Sequence, residues 1–359
     1  MPYNTTESWD GVSGDDISER KKITLYEIAR LAGTSKSTVS RVLMNQSGVS
    51  PETRRKIEQT MRENGYHPNQ MARGLAGGRT GMIAVVTPGI FSGYYAEILR
   101  GVDVVASRHN VHVISSFARG EDDYPELIDR FSQPGQVDGM ILVAPRMKVF
   151  KQRAPRTNVP IVLVGSYAPD NGWDRLDRVV LNNAGAMNEL LDHVQKQGCQ
   201  RLLHLTGGAN VYDFSERRRA FEEYLLRHPT LQGAVLSGGE TRAQAREALD
   251  RHMDEHSEGF DAVVACNDDM AMGALQSLRD QGLRVPEDVV VTGCDDDPAA
   301  EILGLTTLHM PMVELGEEAT RLLFERRAQK QLSPVARQSI VQKRLVVRAT
   351  SSRTEIIFA

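Results

Sequence analysis

TLYEIARLAGTSKSTVSRVL, residues 24–43, decides how the first part of the chain folds. Thr24 followed three residues later by Glu27 is a capping box, in which the threonine oxygen accepts a backbone N–H and the glutamate reaches back. Leu25, Ile28, Ala29 and Ala32 then recur at helical spacing until Gly33 breaks the run. Ser35 caps a second helix whose inward residues are Val39, Val42 and Leu43. The opposite face holds Ser35, Lys36, Ser37, Thr38, Ser40 and Arg41. Two short helices meeting at a glycine are a helix-turn-helix, and the second helix of such a pair lies in the DNA major groove. Small hydroxyl side chains let its backbone come close and reach phosphate oxygens, while lysine and arginine donate to guanine O6 and N7. The competing reading is a merely solvated basic face.

Working outward, Ser50 and Pro51 open a third helix with Ile57 and Met61 facing inward, and Gly65 closes it. Residues 68–80, PNQMARGLAGGRT, carry Gly74, Gly77 and Gly78 and read as a linker. Charge separates this region from the rest. Residues 20–79 hold twelve Lys or Arg against four Asp or Glu, although the whole chain has a formal net charge of -4. Residues 1–19 hold five acids and no base, and residues 1–22 lack periodicity, so a disordered acidic tail is expected there. A basic head on an acidic body does not coat nucleic acid indiscriminately.

Beyond the linker, short apolar runs alternate with amphipathic stretches. The runs are MIAVVTP (82–88), VHVISS (111–116), GMILVAP (139–145), PIVLVG (160–165), RLLHLTGG (201–208), DAVVACND (261–268) and DVVVTGCDDD (288–297). YYAEILRGVDVVASRHN and MAMGALQSLRDQG are two of the intervening segments. Buried parallel strands with crossover helices have this signature. The number of runs exceeds one simple sheet, so two doubly wound subdomains are expected, with a ligand crevice at the carboxyl ends of their strands.

The chain has 359 residues, 40% of them hydrophobic, enough for more than one buried core. Cys199, Cys266 and Cys294 form neither a CxxC pair nor a Cys/His cluster, so neither a disulfide framework nor a metal site is expected. No cofactor is implied. No stretch approaches the roughly 20 apolar residues of a membrane span, and the acidic opening is unlike a signal peptide, so the expected compartment is the cytoplasm and no membrane partner is expected.

Residues 23–80, with TVSRVL, VSPETR, NGYHPN and ARGLAGGRT in order, resemble the amino-terminal module of the lactose-repressor/galactose-repressor (LacI/GalR) family of transcriptional regulators. The resemblance continues through CNDDMAMGAL, GLRVPEDVVVTGCDD, LTTLHMPMVELG and LVVRATSS. It implies a multidomain chain: an all-α helix-turn-helix DNA-binding head over 23–68, a hinge helix and linker over 69–80, and an α/β periplasmic-binding-protein-like (type I) body over 81–359. Lys36, Ser37 and Arg41 match base-reading positions. Asn69 to Ala76 matches a hinge helix that folds on DNA, with Leu75 as the minor-groove wedge and Ala72 supporting it. Gly74 departs from that pattern, since glycine costs a helix about 1 kcal/mol relative to alanine, and implies a hinge unfolded without DNA.

In the body, the resemblance makes Arg217 the effector clamp and Asp295 the carboxylate opposite. Tyr94 lines the pocket, Asn267 adds a donor and an acceptor, and Asp213 is a further candidate. Arg217 is followed by Arg218 and Arg219, and only motif register favours the first. Asp295 to Asp297 also reads as a turn and helix cap, and TGGAN (206–210) as a strand-end turn lacking the lysine of a P-loop. Gly165 stands where many sugar-responsive members carry an acid, and Glu240 where an aromatic often stacks on the effector.

The function implied is a sequence-specific repressor, allosterically controlled by a small polar, sugar-like effector and acting as a homodimer on a pseudo-palindromic double-stranded DNA operator. No leucine heptad follows LVVRATSS, so a coiled-coil tetramer is not expected. The alternative is a sugar-binding protein without a DNA role. No nucleophile with its base, carboxylate pair or metal set has the spacing of an enzyme.

Overall fold

The computed structural model describes residues 23–44, 46–66, 79–88, 93–120, 123–143, 149, 153–154, 157–165, 172–256, 259–329 and 335–353. The expectations for the tail (1–22) and for Asn69, Ala72, Gly74 and Leu75 lie outside these residues. The chain divides into two units, Met1–Gly78 and Arg79–Ala359.

In the first unit, Thr24 and Glu27 form the reciprocal cap: Thr24 N donates to Glu27 Oε2 at 2.8 Å and Glu27 N to Thr24 Oγ1 at 3.3 Å. Helix α1 (Leu25–Leu31) follows and ends at Gly33, whose φ of +66° is left-handed backbone that only glycine adopts without strain. Helix α2 (Lys36–Leu43) starts on the Ser35 hydroxyl, which accepts from Thr38 N. Helix α3 (Pro51–Glu63) has Ser50 as its cap and proline in its first turn. Ile28, Ala29, Ala32, Val39, Val42, Ile57 and Met61 make the small core, with Leu43 only partly buried beside it. Arg54 fastens α3 to the end of α2, donating to Val42 O at 3.3 Å and to Gln46 O at 3.0 Å.

The second unit holds two six-stranded sheets. The first lobe is built on β1 (Met82–Thr87), β2 (His112–Phe117), β3 (Met140–Val143), β4 (Ile161–Val164), β5 (Asp177–Leu181) and β11 (Gln338–Val341). Their order is β11-β5-β4-β3-β1-β2, all parallel. The second lobe is built on β6 (Arg201–Thr206), β7 (Gln232–Ser237), β8 (Ala262–Ala265), β9 (Val290–Asp295), β10 (Thr306–His309) and β12 (Arg344–Val346). Its order is β12-β10-β9-β8-β6-β7, parallel except for β12. The helices are α4 (Gly93–Arg108), α5 (Asp123–Phe131), α6 (Asn183–Lys196), α7 (Tyr212–Arg227), α8 (Arg242–Glu255), α9 (Asp268–Asp280), α10 (Pro298–Ile302) and α11 (Met312–Ala328).

All seven apolar runs contain a strand. Five further strands were not read: β5, β7, β10, β11 and β12. Of the strands that were read, β2 lies at a sheet edge and is largely exposed or half-buried rather than buried.

The chain crosses between the lobes three times: between β5 and α6, between β10 and α11, and between β11 and β12. Helix α11 therefore packs in the first lobe, against α4. Two glycines allow that approach. A Cβ on Gly101 would fall 2.0 Å from Val313 O, and one on Gly316 would fall 2.1 Å from Ile98 O, so each helix backbone rests on the other. On the far side of the same lobe, Asp177 is fully buried and receives Arg326 and Arg337.

Candidate functional site

On the head, α2 turns Val39 and Val42 inward, and helical periodicity then sends Lys36, Ser37 and Arg41 outward, where all three are exposed. Ser35 is exposed too, whereas Thr38 and Ser40 are half-buried. The hydroxyls are organised among themselves. Ser35 Oγ lies 2.7 Å from Ser37 Oγ and 2.8 Å from Thr38 Oγ1, so the cap fixes their direction at the helix start. A helix amino end, three aligned hydroxyls and two free-reaching cations form a surface suited to a phosphate backbone and base edges.

In the body, the candidate residues belong to strand ends and the helices that follow. Asp213 and Arg217, four apart on α7, share one face, and both are buried. Arg218 and Arg219 turn to solvent and pair with Glu222 and Glu216. Geometry thus selects Arg217 from the arginine triplet. Tyr94, from the first turn of α4, meets Asp213 beside Gly165: a Cβ on Gly165 would stand 3.6 Å from Tyr94 Oη and 3.7 Å from Asp213 Oδ2. The two lobes face one another here, since Tyr94 and Gly165 belong to the first and Asp213 to the second. Asp295 ends β9 with φ +138°, and its carboxyl group and that of Asp213 both lie within electrostatic reach of Arg217 and Tyr94. Tyr94, Asp213, Arg217 and Asp295 therefore converge.

Glu240 follows β7 and Asn267 follows β8, with β6 between the two strands. Asn267 is the cap of α9, its side-chain oxygen accepting from Met270 N at 2.8 Å, which leaves its amide N–H groups for a ligand. Glu240 sits over the 206–210 turn, its Oε1 3.5 Å from where a Gly208 Cβ would be. Asp297 caps α10, as the turn reading of the aspartate triplet expects, and Asp296 pairs with Arg348 and His309.

Two residues that sequence reading missed complete the group. Asn183, at the first crossing, donates from Nδ2 to Asp213 Oδ1 at 2.7 Å and accepts on Oδ1 from Arg217 Nε at 3.4 Å. Lys343, at the third crossing, donates from Nζ to the same Oδ1. Arg217 also donates to Cys266 O and approaches Met310 Sδ at 3.7 Å, which brings in the second crossing. No local pattern marks Asn183 or Lys343, because their importance comes from topology.

Burial governs the local acid–base chemistry. It pushes the Asp295 carboxyl up to about 8, with Arg217 only partly opposing it, so Asp295 is mostly a neutral hydrogen-bond donor at pH 7. It pushes the Cys294 thiol up to about 11. Cys266 is also fully buried, but His204, with Arg217 and Thr206, brings its thiol down to about 7. The Cys266 and His204 pair, 3.6 Å apart, has the atoms of a nucleophile and base. Both side chains are sealed at 0% exposure, His204 stacked on Phe221, so substrate has no approach to them. Among the described residues no group of three His, Cys, Asp or Glu is placed to hold a metal, and no helix is long and apolar enough to cross a membrane.

A helix-turn-helix head and a two-lobed α/β body with a polar cluster at its crossings define a ligand-responsive DNA-binding protein. Comparison with known proteins gives the family. Residues 24–69 match the family described as bacterial regulatory proteins, lacI family, and residues 191–351 match the periplasmic binding protein-like domain. Catabolite control protein A of Priestia megaterium is 28% identical over 308 residues, covering 84% of this chain and 91% of that one. Among solved structures, a transcriptional regulator CelR–cellobiose complex aligns with TM-score 0.66 at 28% identity, over 91% of this chain and 99% of that chain. The lac repressor dimer bound to operator and an anti-inducer aligns with TM-score 0.78 over 92% and 99%; at 24% identity this likeness speaks for the fold. The chain belongs to the lacI family of bacterial regulatory proteins. It is a DNA-binding transcriptional regulator and not an enzyme.

Proposed function

We propose that this regulator is a cytoplasmic, homodimeric repressor whose grip on a pseudo-palindromic operator is set by a small polyhydroxylated effector held between the two lobes of its body. The observation that carries the reading is the convergence of Tyr94, Asp213, Arg217 and Asp295 at the carboxyl ends of two sheets, wired through Asn183 and Lys343 to the crossings between them. A ligand that satisfies these groups differs in affinity for open and closed lobes, and only such a difference shifts an equilibrium. Asn267, beyond the end of β8, and Glu240, beyond the end of β7, add polar contacts at the edge of the site.

Residues 23–68 form the DNA-binding domain, 69–80 the hinge and linker, and 81–359 the effector-binding and dimerisation domain, preceded by the acidic tail. Lys36, Ser37 and Arg41 read bases, and Ser35, Thr38 and Ser40 hold phosphates. Asn69, Ala72 and Leu75 are assigned to the minor groove on the family resemblance. Homodimerisation is assigned on the family resemblance and on the two-fold symmetry of such an operator.

The test is operator affinity measured with and without sugars, polyols and nucleosides, on the same protein whose melting temperature reports binding. A ligand that raises the melting temperature and changes operator affinity is expected. Indifference of operator affinity to every ligand that binds overturns the allosteric part.

A further inference from the structure

Arg217 and Lys343 are 2% and 7% exposed, yet among the described residues neither has a carboxylate within ion-pair distance. Their acceptors are neutral: the Cys266 carbonyl and the Asn183 amide oxygen, with the Cys294 thiol 3.9 Å from Lys343 Nζ. The other deeply buried cation shows the usual solution. Arg326, 5% exposed, lies directly on both oxygens of Asp177. A buried charge is paired or costs several kcal/mol, and two side by side repel.

We propose that the effector carries an oxyanion, a carboxylate or a phosphate on a polyhydroxylated skeleton, and that Lys343 binds it together with Arg217. This rests on reading the interlobe cluster as the effector site. Asp213 is held by Asn183 Nδ2 and acts on Arg217 only at longer range. Burial keeps both Asp295 and the Cys294 thiol largely protonated at pH 7, so neither supplies the missing charge. Burial and the Arg217 charge together lower the Lys343 pKa, which marks an ammonium short of an anion. Gly165, at φ +62°, places no side chain of its own beside Tyr94 and Asp213.

Melting of the full chain is followed with D-gluconate, D-galacturonate, D-glucose 6-phosphate, D-glucose, D-galactose and D-ribose, with Lys343→Met and Lys343→Arg alongside wild type. One or more of the three anions is expected to raise the melting temperature while the matching neutral sugars do not, and the responding anion separates carboxylate from phosphate. Lys343→Met is expected to weaken that anion by about thirtyfold or more, with Lys343→Arg retaining most of the affinity. Without ligand, Lys343→Met is expected to melt no lower than wild type, since it removes an uncompensated buried charge. A neutral sugar that binds where its acid does not, or an anion response unchanged in Lys343→Met, overturns the oxyanion and leaves the crevice reading standing. Silence from all three anions overturns the oxyanion, and the crevice reading then stands or falls on the wider screen of sugars, polyols and nucleosides.

Discussion

Arg217 and Lys343 donate to one and the same atom, Oδ1 of Asn183. Arg217 comes from α7 in the second lobe and Lys343 from the third crossing, while Asn183 belongs to the first crossing. The proposed effector cluster and the crossings between the lobes therefore share one set of hydrogen bonds, and a ligand that engages Arg217 acts on the chain segments that join the lobes.

Removal of the shared acceptor has a double cost. Asn183→Ala leaves both cations without their common oxygen and Asp213 without its 2.7 Å donor. A loss of about 1–3 kcal/mol is expected from the orphaned groups, with the ligand-induced melting shift reduced as well. Urea unfolding of the variant with and without ligand reads both quantities, and unchanged values in each would remove Asn183 from the link between the lobes.

On the head, Lys36→Ala and Arg41→Ala remove exposed cations of α2 and touch no core residue. Each substitution at these proposed base-reading positions is expected to cost about 1–3 kcal/mol of operator affinity and to relax preference at one base position. Titration of operator variants measures this, with the melting temperature of the body unaltered. Uniform weakening on all sequences, with a shallower salt dependence, reassigns the residue to phosphate contact.

Asp177 gives the clearest stability prediction. Its buried carboxylate accepts from Arg326 Nε at 2.9 Å and from Arg337 N and Nη2, both at 2.8 Å. Burial alone would raise its pKa, but these bonds prevail and hold it below the usual 3.8. Asp177→Ala strands the buried Arg326, whereas Arg337 keeps Glu325, and is expected to cost about 3–5 kcal/mol. Because the folded pKa is depressed, the stabilisation is fully present above pH 4 or so and is lost as pH falls through the folded value. Denaturant unfolding between neutral and acid pH should show wild type and variant converging at the acid end.

Asp295 behaves in the opposite sense. Its folded pKa, about 8, lies above the unfolded value, so its contribution to stability is greatest in acid and declines as pH rises, until the decline is complete above the folded value. Asp295→Asn keeps the size and abolishes the titration. The variant should gain on wild type in melting temperature as pH rises from 5 to 8, while its response to effector falls. A constant difference across that range would mean that Asp295 does not titrate there.

The head was legible because its signals are local. A cap and its partner three residues apart, a glycine at a left-handed turn and apolar residues at helical spacing all act within one or two turns of chain, so 24–43 specifies its own structure. Central parallel strands were legible for a related reason: β1, β3, β4, β8 and β9 are covered on both faces and read as continuous apolar runs. Short or edge strands such as β7, β11 and β12 were not, because half-exposed strands mix polar with apolar residues, and β12 has only three.

By itself the sequence determined two folding classes, their order and, through motif register, Tyr94, Arg217 and Asp295 among the residues that meet between the lobes, with Asp213 read only from its closeness to Arg217. Tertiary structure alone decided that the chain crosses between the lobes three times and that Asn183 and Lys343 stand at two of those crossings. Nothing near either residue in the chain signals this, because hydrogen bonding at Asn183 Oδ1 depends on where two sheets place their connections. Helix caps and strand cores are written in neighbouring residues, whereas the charge balance of a buried cluster exists only once distant segments have shut water out.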